Sequence, residues 1–470
     1  MKLKNLFKNY IGDRAFYRRV LAITIPMIIQ NTVTNLVNLL DNLMVSWVGT
    51  EQMSGVSIVN QFIFVFNLAI FGAVSAAGIF TAQFNGRGDI GGVRNTMRIK
   101  LISTLIIGIL GVVILCTLQD GLINSFIHEG EGDEELDLQL VFDSAKGYIS
   151  YIVIGLIPFA LSQAYASTLR ETGQTVVPMV ASAVSIFTNL VFNIILIFGL
   201  LGFPALGVAG AAIATALSRF IELFILIFWT HRNSEKCPFI TGLFRKFHVP
   251  GALIKQVIIK GAPILTNELL WSLSITVTNM FYSKLGPEVL PAMNISFNLQ
   301  NLLSVAYFAL SSSIAIIVGN LLGAGKLDEA KQTDKKLLAF AVFMGFIMMG
   351  IQLALSPVFP RIYTDVESVI DIASYNMVCF GLTMPLAALA TATYYTIRSG
   401  GRVFITMLFD SVYAWVIVIP TLAALVSFTD LSFYALLPII LIVENLKIVP
   451  GLILVNKGIW VRQLKVEPEN

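Results

Sequence analysis

Asp41 is a carboxylic acid at the end of an otherwise uncharged run, Val20 to Leu40. Placing Asp, Lys or Arg mid-helix in a membrane costs at least roughly 2.5–3.5 kcal/mol, and such residues usually mark ion or substrate pathways. A carboxylate in that setting takes up and releases a proton or balances a bound cation. Asn31, Thr34, Asn35, Asn38, Asp41 and Asn42 fall within an arc of roughly 120° at about 100° per residue. Lipid does not tolerate such a stripe, so it lines a cavity or forms an interhelical hydrogen-bond seam. Thr188, Asn189 and Asn193 sit in the fifth apolar run, with Asn189 and Asn193 on one face. Thr215 ends the small-residue stretch Gly210-Ala211-Ala212-Ile213-Ala214-Thr215 of the sixth. By themselves these residues read as helix-packing polar groups.

The other intramembrane charges divide by spacing. Arg219 and Glu222 are three apart, as are Glu444 and Lys447, so each pair can form on its own helix face. Glu268 has no local cation and reads either as a cavity carboxylate or as a partner for another span. Asp410 lies near Arg398 and Arg402, at the same end of its run. The three cysteines are scattered, and the three histidines fall in expected loops without metal-ligand spacing; neither a disulfide framework nor a metal site is expected.

The chain that positions these groups has 470 residues, 56% hydrophobic and 13% charged. Soluble domains carry about 25% charged residues, so an all-α integral membrane protein is expected. A span needs about 20 apolar residues. Twelve can be drawn, at approximately 20–46, 54–84, 101–119, 147–168, 176–199, 206–230, 261–284, 290–322, 337–359, 372–397, 403–425 and 432–456. With both termini inside, 26 of the 31 Lys and Arg fall in inward segments, Arg170, Arg398, Arg98 and Lys100 among them, while the outward loop after the third span is acidic. Residues 2–19 could form a short interfacial helix with Leu3, Leu6, Phe7, Tyr10 and Ile11 on one side.

A shift of 237 positions pairs Pro26 with Pro263, Asn42 with Asn279, Gly49 with Gly286, Gly86 with Gly323 and Gly88 with Gly325. A second echo, one residue out of register, pairs Pro158 with Pro385 and Thr168-Leu169-Arg170 with Thr396-Ile397-Arg398. The expected organisation is a six-helix bundle over 1–230, a cytoplasmic linker over 231–260 and a second six-helix bundle over 261–470. Both bundles run in the same direction. Parallel halves of this kind build a central cavity and rock around it.

Several motifs together resemble the multidrug and toxic compound extrusion (MATE) family. They are Asp41 followed by Met44-Val45 and Gly49, Gly-Arg-Gly-Asp at 86–89, Thr-Leu-Arg-Glu-Thr-Gly at 168–173, and Gly207-Val208-Ala209-Gly210-Ala211-Ala212-Ile213-Ala214-Thr215. The resemblance covers the whole chain. It implies efflux of organic cations or amphiphiles in exchange for H⁺ or Na⁺, through a V-shaped pair of six-helix bundles in the cell membrane. It further implies that Asp41, Asn189 and Thr215 belong to the first bundle's cation site. Asn193 stands where many members place a second acid, which leaves Asp41 as that site's carboxylate. A Na⁺ site would draw on Asp41, Asn189, Asn193 and Thr215. The remaining candidates, Asn31, Thr34, Asn35, Asn38, Asn42, Glu268 and Asp410, are expected on the substrate cavity.

No Walker loop, HExxH or GxSxG occurs, and no stretch between spans is long enough for an ATPase. An enzyme, a cofactor and a nucleic-acid partner are therefore not expected. A monomer driven by an ion gradient is. The alternatives are a lipid-linked precursor flippase, whose pyrophosphate substrate would call for several cavity arginines and lysines where the sequence offers only Arg219, and an intramembrane enzyme or receptor.

Overall fold

The computed structural model describes residues 10–126, 137–245 and 249–464, with side chains throughout except at 37–39 and 42. The start of the expected interfacial helix, most of the acidic outward loop, His128 and His248 lie outside the described residues. Twelve long helices follow one another: α1 (Arg14–Ser46), α2 (Thr50–Arg87), α3 (Ile90–Thr117), α4 (Leu138–Glu171), α5 (Val176–Phe198), α6 (Gly207–Arg232), α7 (Gly251–Tyr282), α8 (Val289–Gly323), α9 (Leu327–Leu355), α10 (Glu367–Ser399), α11 (Val403–Phe428) and α12 (Phe433–Asn456). Residues 14–19 are not a separate interfacial helix. Asp13 caps α1 by accepting from Phe16 N at 2.7 Å, and the basic residues continue into that helix.

Among the described residues, ten helices are long and apolar enough to cross a membrane on composition alone. The repeat superimposes α1 on α7. Both carry polar faces that packing within the protein must absorb. Large apolar side chains such as Phe187, Phe224, Val416 and Ile442 lie exposed on the flanks, as a lipid-facing belt requires. This is an all-α membrane protein of two six-helix bundles, α1–α6 and α7–α12.

The repeat is written into the backbone. Pro26 and Pro263 both sit inside their helices, as do Pro158 and Pro385. Gly88 and Gly325, 237 residues apart, both have φ of +76°, a left-handed conformation that favours glycine. The two halves also touch reciprocally. Gly86 lies against the Asn320 backbone and Gly323 against the Gln83 backbone, so close that a Cβ on either would come within 1.9 Å of a carbonyl oxygen. Around this crossing Asn85 Nδ2 donates to Asn320 Oδ1 at 2.7 Å and Gln83 Nε2 to Ser399 O at 3.0 Å. The segment after α12 ties the crossing down, with Leu464 N donating to Gln83 Oε1 at 2.8 Å and Arg87 Nη2 to Leu464 O at 2.9 Å.

The connection between bundles is shorter than expected, because α6 runs to Arg232 and α7 starts at Gly251. It is also docked rather than loose. Cys237, Phe239, Ile240 and Leu243 are buried in the first bundle's core. Arg98 Nε donates to Leu243 O at 2.9 Å and Arg94 Nε to Phe239 O at 3.2 Å. Burial pushes the Cys237 thiol up to about 11, which keeps it a neutral, unreactive thiol at neutral pH.

Lys100 is fully buried and ion-pairs with Glu171, with Ser167 Oγ accepting from it at 2.9 Å. Breaking a buried pair from one side costs about 3–5 kcal/mol because the other charge is left behind. Lys100→Met is expected to lower thermal stability in detergent by that order, and Lys100→Met with Glu171→Gln to recover much of it. Thermal unfolding of the purified variants is the check. A single substitution as stable as wild type contradicts the pairing.

Candidate functional site

α1 brings Asp41 to the wall of a cavity of about 750 Å³ that runs between the bundles. Its side walls come mainly from α1, α2, α4, α5 and α6, and one end is completed by Ser312, Ala315 and Ile316 of α8 and Tyr395, Arg398 and Ser399 of α10. Asn31 and Thr34 of the α1 stripe line it, together with Gln30. Asn35 is exposed and is not on its wall. The Asn38 and Asn42 side chains lie outside the described residues.

Asp41 meets α5 directly. Asn193 Nδ2 donates to Asp41 Oδ1 at 2.6 Å, and one end of the Asn189 amide lies 2.9 and 3.1 Å from the two carboxylate oxygens. A carboxylate only accepts, so the amide satisfies both neighbours with its nitrogen on Asp41 and its oxygen accepting from Thr215 Oγ1 at 3.1 Å. Asn189 and Asn193 are one turn apart and both buried, at 4% and 1% exposure, so α5 presents two amides as a unit. Thr215 comes from the close α5–α6 packing that Gly210 permits against Leu196. Asp41, Asn189, Asn193 and Thr215 are thus one cluster in space. Asn193 Oδ1 is buried and has no partner among the described residues.

Glu268 and Asp410 sit elsewhere. Neither lines this cavity. Asp410 does not reach Arg398 or Arg402; it ion-pairs with Lys447 at 3.0 Å and accepts from Asn267 Nδ2 at 3.3 Å. The cause is α11, whose backbone widens into π turns over Leu408–Val412 and Ala414–Val418. Wide turns rotate a side chain off the regular helical register and recur at functional positions. Here Asp410 faces α12, and Ser411 Oγ donates to Asn267 Oδ1 at 2.7 Å. Lys447 is therefore engaged across helices, not with Glu444 on its own face. Glu268 lies within electrostatic reach of Arg398 and Asp410 but forms no ion pair among the described residues.

Arg219 and Glu222 do pair, at 3.2 Å, and both also line the cavity. Glu222 accepts from Ser182 Oγ at 2.7 Å, Ser182 Oγ accepts from Gln30 Nε2 at 2.8 Å, and Gln30 Oε1 accepts from Arg170 Nη1 at 3.3 Å. By sequence alone, Arg170 and Arg398 fall in inward segments between spans. Both instead belong to helices and reach the cavity, and Arg398 is only 5% exposed. Arg98 and Lys100 are likewise buried rather than loop charges. The repeated Thr-x-Arg at the ends of α4 and α10 was the signal for the cavity arginines. His231 closes α6 and stacks on Phe244 with ring centroids 6.2 Å apart. Among the described residues no group of metal-binding side chains converges.

Twelve helices in two parallel bundles with a cavity between them form the architecture of a transporter. The MatE family model matches residues 26–195 and again 263–423, starting 237 positions apart, and the chain belongs to that family. It is 25% identical over 442 residues to the "Probable multidrug resistance protein NorM" of Thermotoga maritima, covering 91% of this chain and 90% of that one. The protein of that name from Halalkalibacterium halodurans is 24% identical over 416 residues, covering 88% of each. Among solved structures, "Outward-facing conformation of a multidrug resistance MATE family transporter of the MOP superfamily" superposes with a TM-score of 0.84 at 18% identity, covering 96% of this chain and 97% of that one. At that identity the likeness is one of fold.

Proposed function

We propose that this protein is a secondary multidrug efflux antiporter that exports organic cations or amphiphiles by alternating access. The observation that carries the reading is Asp41, a carboxylate held by two buried amides on the wall of a cavity of drug-sized volume. A cavity of 300–1,000 Å³ is the usual range for small-molecule sites. The names of the curated relatives support the same reading. The flippase alternative loses the sequence argument against it, since Arg170, Arg219 and Arg398 all reach the cavity. It is disfavoured by Asp41 and by the pairing of Arg219 with Glu222.

The coupling ion in this reading is H⁺. With both amide nitrogens turned to Asp41, the neutral oxygens of the cluster point away from the carboxylate, whereas a dehydrated Na⁺ needs several oxygens gathered around it. Exchange of one H⁺ for one monovalent cation moves no net charge. Each pH unit then supports about a tenfold substrate gradient, 1.4 kcal/mol. The test is ethidium efflux in vesicles with H⁺ and Na⁺ gradients imposed separately. Transport is expected to follow the pH gradient and to stop when nigericin collapses it. Undiminished, Na⁺-dependent efflux under nigericin would make Asp41, Asn189, Asn193 and Thr215 a sodium site.

The orientation follows the charge asymmetry, with the Gly86–Gly323 end cytoplasmic and the protein a monomer in the cell membrane. On a cysteine-free background, a cysteine at Ile90 is expected to label from inside and one at Asp143 from outside. The reverse pattern would invert the assignment.

A further inference from the structure

The charges on the cavity wall do not cancel locally. Three acids and three arginines reach it: Asp41, Glu171, Glu222, Arg170, Arg219 and Arg398. Glu171 is taken by Lys100 and Glu222 by Arg219. That leaves Asp41, within electrostatic reach of Arg219, toward one end, and Arg398 with Arg170, the latter within reach of Glu171 and Glu222, toward the other. Gln30, the hydrogen-bond partner of Arg170, precedes Asp41 by eleven residues on α1, about 16 Å at 1.5 Å per residue. The cavity is therefore bipolar along its length.

Arg398 is the more exacting of the two. It is 95% buried by the complement of its 5% exposure, and its Nη1 has no hydrogen-bond partner among the described residues. Its guanidinium carbon lies 5.6, 5.9 and 5.4 Å from the ring centroids of Phe71, Tyr394 and Tyr395. Aromatic faces attract the charge but accept no N–H bond of ordinary strength. Glu268, from α7, is within electrostatic reach but makes no ion pair among the described residues. A buried guanidinium whose Nη1 has no acceptor among the described residues, on the wall of a cavity, is a fork with room for an anion. Arg170, its repeat mate on α4, lines the same cavity and is bonded to the neutral Gln30.

We propose that Arg398, with Arg170, forms an anion subsite that receives the carboxylate, sulfonate or phosphate of a zwitterionic amphiphile. The ammonium of that ligand lies toward Asp41 and its apolar body spans the middle of the cavity. The subsite rests on the cavity being the drug site, but it is tested by binding alone, so it can fail while transport stands. Rhodamine B and its ethyl ester make the matched pair, since they share the cationic ring system and differ in the free carboxylate. Fluorescence polarisation with purified wild-type protein is expected to show tighter binding of the free acid. Arg398→Gln is expected to weaken the free acid by roughly tenfold or more, the scale of a charge-assisted hydrogen bond, and to leave the ester unchanged. Arg398→Lys keeps the charge without the fork and is expected to fall between, with ester binding reporting on the fold of each variant. Glu268→Gln removes the competing negative charge and is expected to strengthen free-acid binding. Anionic lipid that displaces rhodamine B only when Arg398 is present would assign the same site to a lipid phosphate. Equal weakening of both dyes in Arg398→Gln, or no preference for the free acid in wild type, overturns the subsite. Failure of wild type to bind either dye overturns it together with the transport reading beneath it.

Discussion

Replacing Asp41 by Asn is expected to abolish uphill efflux while leaving the protein folded and inserted. The variant is nearly isosteric. One side-chain oxygen remains to accept from Asn193 Nδ2, which donates at 2.6 Å in the wild type. The other becomes an NH₂ facing the amide of Asn189, so about one hydrogen bond is lost, a cost on the order of 1–3 kcal/mol. A twelve-helix protein held by large cores in both bundles absorbs that. Transport does not, because coupling needs a group that is charged in one step and neutral in another, and Asn is neutral throughout. Efflux against a gradient is expected to fall to the level of empty vesicles, with a monodisperse elution profile retained. Asp41→Glu keeps a titratable group in a shifted position and is expected to retain part of the activity. Wild-type efflux in a well-expressed Asp41→Asn variant would remove Asp41 from the coupling step.

Gly86→Val and Gly323→Val are expected to trap the protein away from the conformation described here. In each case the new Cβ would come within 1.9 Å of a backbone carbonyl oxygen, of Asn320 or of Gln83 respectively. A backbone neighbour cannot swing aside as a flexible side chain can, so the bundles must separate at this end. Overpacking costs typically 1–3 kcal/mol, which corresponds to a shift of roughly 5- to 150-fold between two states. Separation would also break the Asn85–Asn320 and Gln83–Ser399 hydrogen bonds, adding to the shift. The expected result is normal expression, loss of exchange, and faster labelling of a cysteine at Ser399 from the side of the α2 and α8 C-termini. Gly88→Ala, beside the crossing but with open space around its Cβ position, is the contrast. It strains a left-handed turn without forcing the bundles apart. Wild-type labelling at Ser399 in both valine variants would show that the crossing does not seal this end.

Twelve spans and their duplication were determined by the sequence itself, because lipid demands long apolar runs and a duplicated chain keeps its offset through helices and turns alike. Asp41 was legible for the same reason, as a charge that has no business in such a run unless it does something. What surrounds Asp41 was not legible from spacing. Asn189, Asn193 and Thr215 read alone as packing residues, and the family resemblance, not their own pattern, pointed to them. Only the approach of α5 and α6 to α1 brings them together around Asp41. The tertiary structure also decided the fate of the charges. By sequence, Arg170 and Arg398 fall between spans because a charge ends an apolar run, whereas a helix continues past it when a cavity or a partner receives the side chain. Lys447 could pair with Glu444 at three residues' spacing, yet the π turns of α11 delivered Asp410 to it instead. Spacing along one helix states which groups are able to meet; the packing of different helices decides which of them do, because the charge settles with the partner that desolvation leaves within reach.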